Sequence, residues 1–245
     1  MRACSHILEV CVDDPQGLAA AIAGGAERIE LCSALALGGL TPAPGLIAAA
    51  AKISVPVFAM IRPRPGGFCY TEDELVAAEA DIVAIRAASL AGIVFGVTDT
   101  EGRPDRVALA RLRDCAAGLP MVMHRAIDIA PDIDEALETA IEYGFCRVLT
   151  SGGASSAAQG VETIARLSRR AAGRITVMAG GGVGPDVAGL LLQAGADDLH
   201  GSCSEISGGG GVTGDLGISD MRAQTRAGKV RALRKAMDIA LGRIS

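Results

Sequence analysis

The 245-residue chain is half hydrophobic and carries a net charge of −5: enough apolar side chain for a large core, and the wrong sign for gripping nucleic acid. Aromatic residues make up only 2%, with no Trp, so no stacking platform for single-stranded nucleic acid is present. Seven cysteines without a CxxC pair argue for reduced, mostly buried thiols in a cytoplasmic protein, against both a disulfide framework and a zinc knuckle.

Short apolar runs recur at 7–12, 28–32, 55–62, 92–97, 121–126, 147–151, 175–180 and 197–201. Their Val, Ile, Leu and Met content and their length read as buried strands. Ala- and Leu-rich segments with helical spacing lie between them, such as "PQGLAAAIAGG", "DELVAAEADIVAIRAAS" and "DIDEALETAIEYG". Gly24, Gly144, Gly173 and Gly195 mark helix ends, and Pro185 marks a first turn. Eight strand–helix alternations predict a single (β/α)8 TIM barrel over 1–245, a closed parallel sheet. An open doubly wound sheet is the alternative, but no GxGxxG follows the first strand, and no nucleotide cofactor is evident. Residues 31–51 carry no charge, yet Gly38, Gly39, Pro42, Pro44 and Gly45 make them a loop and a buried helix, not a membrane span. The first apolar run is too short for a signal peptide. A Gly-rich stretch at 203–228 breaks the rhythm and reads as a loop or lid after the eighth strand.

The phrases "LEVC" (8–11) and "IELC" (29–32) are the same pattern written twice. Strand alternation puts Glu9 with Cys11, and Glu30 with Cys32, on one face, and the apolar residues on the other. In a barrel the apolar set packs outward on helices, so the carboxylates and thiols point inward or up at the mouth. A buried carboxylate needs a partner, and candidates stand at the other strand ends. "MIRPR" offers Arg62 and Arg64 at the same parity. "MHRAID" offers His124, Arg125 and Asp128. "LTSGG" offers Ser151 and Gly152, and "LHGS" offers His200 and Ser202. Gly181 and Gly182, followed by Pro185 and paired with Ser202, match the phosphate corner that barrels build after strands seven and eight. The bland alternatives are a buried ion-pair network for Glu9, Glu30 and Arg62, and satisfied core histidines. Two of three histidines at strand ends weigh towards chemistry.

These motifs together resemble one family. "LEVCVDD", "RIELCSALALGGLTPAPG", "VFAMIRPRPGGFCY", "HRAIDIAPD", "RVLTSGG" and "VMAGGGV", in this order from about residue 7 to 202, are similar to the CutC family, named for copper homeostasis. The resemblance implies a cytoplasmic TIM barrel that assembles as a dimer or tetramer. It also implies copper(I) binding, with Cys11 and Cys32 at the places of the proposed ligands. Two departures stand out: Gly67 replaces a frequent Asp, and "GSCSEISGGGG" replaces a small-residue and Arg pattern.

Two functions follow as expectations. One is copper(I) handling through Cys11 and Cys32, since soft thiolates suit that ion. The other is an enzyme acting on a small anionic or phosphorylated metabolite. There Glu9 or Glu30 serves as base, His124 as acid or base, with Asp128 and His200 beside them, and Arg62 and Arg64 bind the anion. Ser151, Gly152, Gly181, Gly182 and Ser202 then hold the substrate.

Overall fold

The computed structural model describes residues 6–208 and 221–244; Cys4 and residues 209–220 lie outside the described residues. Eight parallel strands close on themselves: β1 (Leu8–Val12), β2 (Arg28–Leu31), β3 (Val57–Met60), β4 (Gly92–Phe95), β5 (Met121–Met123), β6 (Arg147–Thr150), β7 (Thr176–Ala179) and β8 (Asp198–Gly201), with β8 pairing back onto β1. Helices α1 (Pro15–Gly24), α2 (Pro44–Ala50), α3 (Glu72–Ala87), α4 (Arg106–Ala116), α5 (Ile133–Glu142), α6 (Val161–Ala171), α7 (Pro185–Gln193) and α8 (Ala227–Ala240) wrap the sheet. The expected (β/α)8 barrel is the observed one. No helix among the described residues is long and apolar enough to cross a membrane.

Local chemistry sets the helix starts. The Asp14 side chain accepts from Gly17 N ahead of Pro15 in α1, and Thr71 and Glu74 form a reciprocal capping box on α3. Asp105 and Asp132 cap α4 and α5 in the same way. Each cap fixes where a helix leaves its loop, and so where the preceding strand end stands.

Parity divides the core in two. Outward residues Leu8, Val10, Ile29, Leu31, Val57, Ala59 and Ile93 pack with the helices in the large outer cluster. Inward residues Cys32, Phe58, Met60, Val94, Val122, Leu149 and Met178 form a smaller cluster inside the barrel. The strand registers arrange the inward positions in tiers of four from alternate strands. Lowest are Arg28, Gly92, Arg147 and Asp198; next come Glu9, Phe58, Val122 and Met178. Above them lie Glu30, Val94, Leu149 and His200, and then Cys11, Met60, His124 and Gly180.

Ion pairs therefore close the barrel floor. Arg28 Nε donates to Glu9, and its terminal nitrogen donates to Asp198 Oδ2 at 2.8 Å. Arg147 Nε reaches the same Asp198 oxygen at 3.2 Å. The Phe58 ring lies beside both guanidinium groups, 5.9 Å from Arg28 and 5.6 Å from Arg147.

The segment at 203–228 is not simply a loop. Its ends pair as antiparallel strands β9 (Ser204–Ser207) and β10 (Arg222–Thr225), and α8 begins at Ala227. Polar residues with weak local periodicity hide such a hairpin, because its stability comes from cross-strand pairing and not from an apolar face. Thr225 Oγ1 donates to Ser202 O at 3.0 Å, which ties the hairpin beside the mouth.

Replacing Arg28 with Met takes the shared cation from Glu9 and Asp198 and leaves them only His200 and Arg147 as charged partners. The expected loss is about 3–5 kcal/mol, the usual cost of removing one partner from a buried ion pair. A urea unfolding midpoint reads it, and an unchanged midpoint contradicts a floor held by charge.

Candidate functional site

Above the tiers, the C-terminal ends of the strands surround a cavity of about 390 Å³. Cys11, Glu30, Met60, Arg62, Phe68, His124, Arg125, Gly181, Gly182, His200 and Ser202 line it, and Ser204, Ala223 and Thr225 of the hairpin complete one wall. Inward-facing positions late in β1, β2, β3, β5 and β8 thus meet as parity requires.

Glu9 does not reach the cavity; it supports what does. Its carboxylate is fully buried, takes the Arg28 pair from below, and accepts from His200 Nδ1 at 2.8 Å above. Burial opposes the charge, but Arg28 and His200 outweigh it and hold Glu9 far below the ordinary carboxylate range. His200 is squeezed between two carboxylates, with Nε2 3.7 Å from Glu30 Oε2. Burial alone would discharge its ring; Glu30, Cys11 and Glu9 reverse that and push it well above its ordinary value.

Glu30 behaves oppositely to Glu9. Burial, with Glu9 adding to it against the pull of His200, raises its carboxyl. Oε2 accepts from the Cys32 thiol at 3.6 Å, while Oε1 is buried without a partner among the described residues. The result is a carboxyl group with a raised pKa and one unsatisfied oxygen, in the cavity wall.

His124 supplies a neutral donor. Its Nδ1 accepts from Ala126 N at 3.1 Å, which places the proton on Nε2, and Nε2 has no partner among the described residues. Burial first, and then the nearby Arg62 cation, lower it to about 3. The Phe68 ring packs on it at 4.6 Å. Arg62 donates to three carbonyls, Leu37 O at 3.0 Å, Gly39 O at 2.9 Å and Gly66 O at 2.8 Å, and so clamps the loops after β2 and β3 together. No carboxylate pairs with Arg62 among the described residues, so its positive charge stands uncompensated in the cavity wall.

Besides Glu9, five expected residues lie outside the cavity lining. β3 ends at Met60, and Pro63 and Pro65 turn the chain, so parity no longer governs Arg64. Its guanidinium pairs with Glu74 and staples the loop to α3. Asp128 faces away from the cavity and fills its own anion nest. It accepts from Thr150 Oγ1 at 2.5 Å, Ser151 N at 3.0 Å, Gly153 N at 3.1 Å and Arg125 Nε at 2.8 Å. The "LTSGG" turn that reads as a phosphate loop is occupied by this internal carboxylate. Ser151 is fully buried against it, and Gly152 N is taken by Thr150 Oγ1 at 2.8 Å. Cys32 is fully buried, and its Sγ lies 3.0 Å from where a Cβ on Gly39 would stand. Burial and the Glu30 charge keep its thiol well above the ordinary value.

Gly181 and Gly182 line the cavity as expected, in left-handed conformations (φ 99° and 72°) that favour glycine. The Arg125 guanidinium carbon is 3.5 Å from where a Gly181 Cβ would be, so a cation accompanies this turn. Arg125, a strand-end candidate without a stated role, and Phe68, not named from the sequence, also line the cavity. Arg125 directly follows His124 in "MHRAID", whereas nothing in "GGFCY" marks Phe68 as part of a site.

The His124 shift has a consequence for stability. An unfolded chain takes up the proton below about 6.5, while the folded ring resists until about 3. Stability therefore falls as pH drops through that window. His124→Gln flattens this acid limb in denaturant titrations at stepped pH; an unchanged slope contradicts a buried neutral ring.

A family model described as the CutC family matches residues 6–205. A family protein CutC of Sinorhizobium medicae (strain WSM419) is 48% identical over 239 residues, covering 95% of this chain and 96% of its own. One from Caulobacter vibrioides (strain NA1000 / CB15N) is 53% identical over 203 residues, covering 82% and 83%. The crystal structure of a CutC protein from Streptococcus agalactiae superposes with a TM-score of 0.77 at 30% identity, covering 80% of this chain and 98% of that one. With the same barrel and these identities, the chain belongs to the CutC family.

Proposed function

We propose that the barrel mouth is an acid–base active site for a small anionic metabolite. One observation carries this reading: Glu30 Oε1 and His124 Nε2 are both buried, both lack a partner among the described residues, and both belong to residues lining one cavity. Buried polar groups are ordinarily paired, so two unpaired ones in a shared space argue for a ligand that pairs them. The volume suits a small molecule. Arg62 supplies an uncompensated positive charge, and Arg125, whose Nε is held by Asp128, lines the same cavity beside the Gly181–Gly182 turn.

The chemistry that fits is proton abstraction beside a carbonyl, as in an isomerase or lyase. Glu30 takes the proton from substrate carbon, and the electron pair moves onto the carbonyl oxygen. The neutral His124 Nε2–H donates to that oxygen, and Glu30 returns the proton at the end. A carboxyl raised by burial and an imidazole kept neutral are the environment-driven split in roles that acid–base sites use.

A second reading, copper(I) handling, has its own support. The relative from Streptococcus agalactiae carries the name of a copper homeostasis protein, and Cys11 and Cys32 both flank Glu30. The residues fit a two-thiolate copper(I) site poorly. Cys32 does not line the cavity, its thiol is engaged with Glu30, and the Gly39 turn covers its sulfur.

Thermal shift with phosphorylated and carboxylated metabolites tests the first reading. At least one compound should raise the melting temperature. Glu30→Gln should retain that shift while lowering turnover by about 10²–10⁴. No shift from any compound, together with a fold stabilised by Glu30→Gln, would leave Glu30 a structural residue. Anaerobic copper(I) titration tests the second: a thiol-pair site weakens equally in Cys11→Ser and Cys32→Ser, and wild-type affinity in either variant excludes it.

A further inference from the structure

We propose that Cys11, Glu30 and His200 form a site for one divalent ion of the zinc class, with an open coordination position facing the cavity. The three come from adjacent strands β1, β2 and β8, and the register sets Cys11 directly beside Glu30. Sγ, a carboxylate oxygen and an imidazole nitrogen all lie within 4.8 Å of one another, and all three residues are buried. Tetrahedral zinc with ordinary bond lengths sets its ligand atoms about 3.3–3.6 Å apart. The 3.7 Å between His200 Nε2 and Glu30 Oε2 is already close to that spacing.

Two further observations point to an ion. The first is the unpartnered, buried Glu30 Oε1. The second is Glu9, which holds His200 Nδ1 at 2.8 Å and leaves Nε2 directed at Glu30 and Cys11. Metal-bound histidines are ordinarily oriented in this way, by a carboxylate on the other ring nitrogen.

The donor set also selects the ion. One thiolate, one imidazole and one carboxylate are too soft for magnesium or calcium, which take oxygen ligands. They are too hard a mixture for copper(I), which favours sulfur. Three protein ligands with a vacant position is the pattern of a catalytic zinc, and thiolate with carboxylate balances the ion's double charge. The open position faces the space shared with Arg62 and His124, where an anionic substrate's oxygen can enter. Binding of the ion stands on these residues alone; its role in a reaction rests on the active-site reading above, with Glu30 holding the ion through one carboxylate oxygen and moving the proton with the other.

Metal-stripped full-length protein titrated with Co²⁺, followed by absorption and equilibrium dialysis, tests the site. One ion per chain is expected, with tetrahedral visible bands and a thiolate-to-cobalt charge-transfer band. Cys11→Ser should abolish that band, Cys32→Ser should retain it, and Glu9→Gln should weaken binding by about 10–100-fold. The site is overturned if folded wild type takes up no Co²⁺. It is equally overturned if the band survives Cys11→Ser or disappears in Cys32→Ser. A metabolite that shifts the melting temperature of the stripped protein while Co²⁺ fails to bind sinks the ion and spares the active site. Co²⁺ binding without any metabolite shift does the reverse.

Discussion

The Glu9 carboxylate joins the two ends of this barrel. It is fully buried, takes Arg28 from the floor and His200 from the mouth, and does so with different oxygens. Neither partner could be removed without leaving a charge in a space that water does not reach. The pairing also fixes the His200 ring: with Nδ1 committed downward, Nε2 can only face Glu30 and Cys11. What happens at the mouth is thus set two tiers below it.

From this follows a division of charge between the two histidines of the mouth. Carboxylates on both sides push His200 towards the cation, whereas burial first, and then Arg62, push His124 towards the neutral ring. Glu9 and Glu30 are split the same way, one pushed down by Arg28 and His200 and one pushed up by burial. The environment separates two like pairs into groups with different duties.

Much of this was legible in the sequence because a strand's alternation is rigid. "LEVC" and "IELC" give the inward face of β1 and β2, and "MHR" and "LHGS" give the two histidines. Legibility stopped where regular backbone stopped. Arg64 has the parity of Arg62, yet it follows the end of β3 and turns out to Glu74. "LTSGG" has the composition of a phosphate loop, but Asp128 already fills it through contacts 22 to 25 residues apart. Cys32 has the right parity, but the Gly39 turn packs against its sulfur and it does not line the cavity. The hairpin of β9 and β10 depends on pairing between segments whose separate composition resembles an ordinary loop.

The division of charge is open to direct measurement by ¹⁵N NMR of imidazole nitrogens in metal-free protein labelled at histidine. At neutral pH, His200 is expected to show two protonated ring nitrogens, and His124 a neutral ring protonated at Nε2 alone. A His200 that titrates as an ordinary histidine, or a His124 that is charged at neutral pH, would contradict the arrangement from which the rest is built.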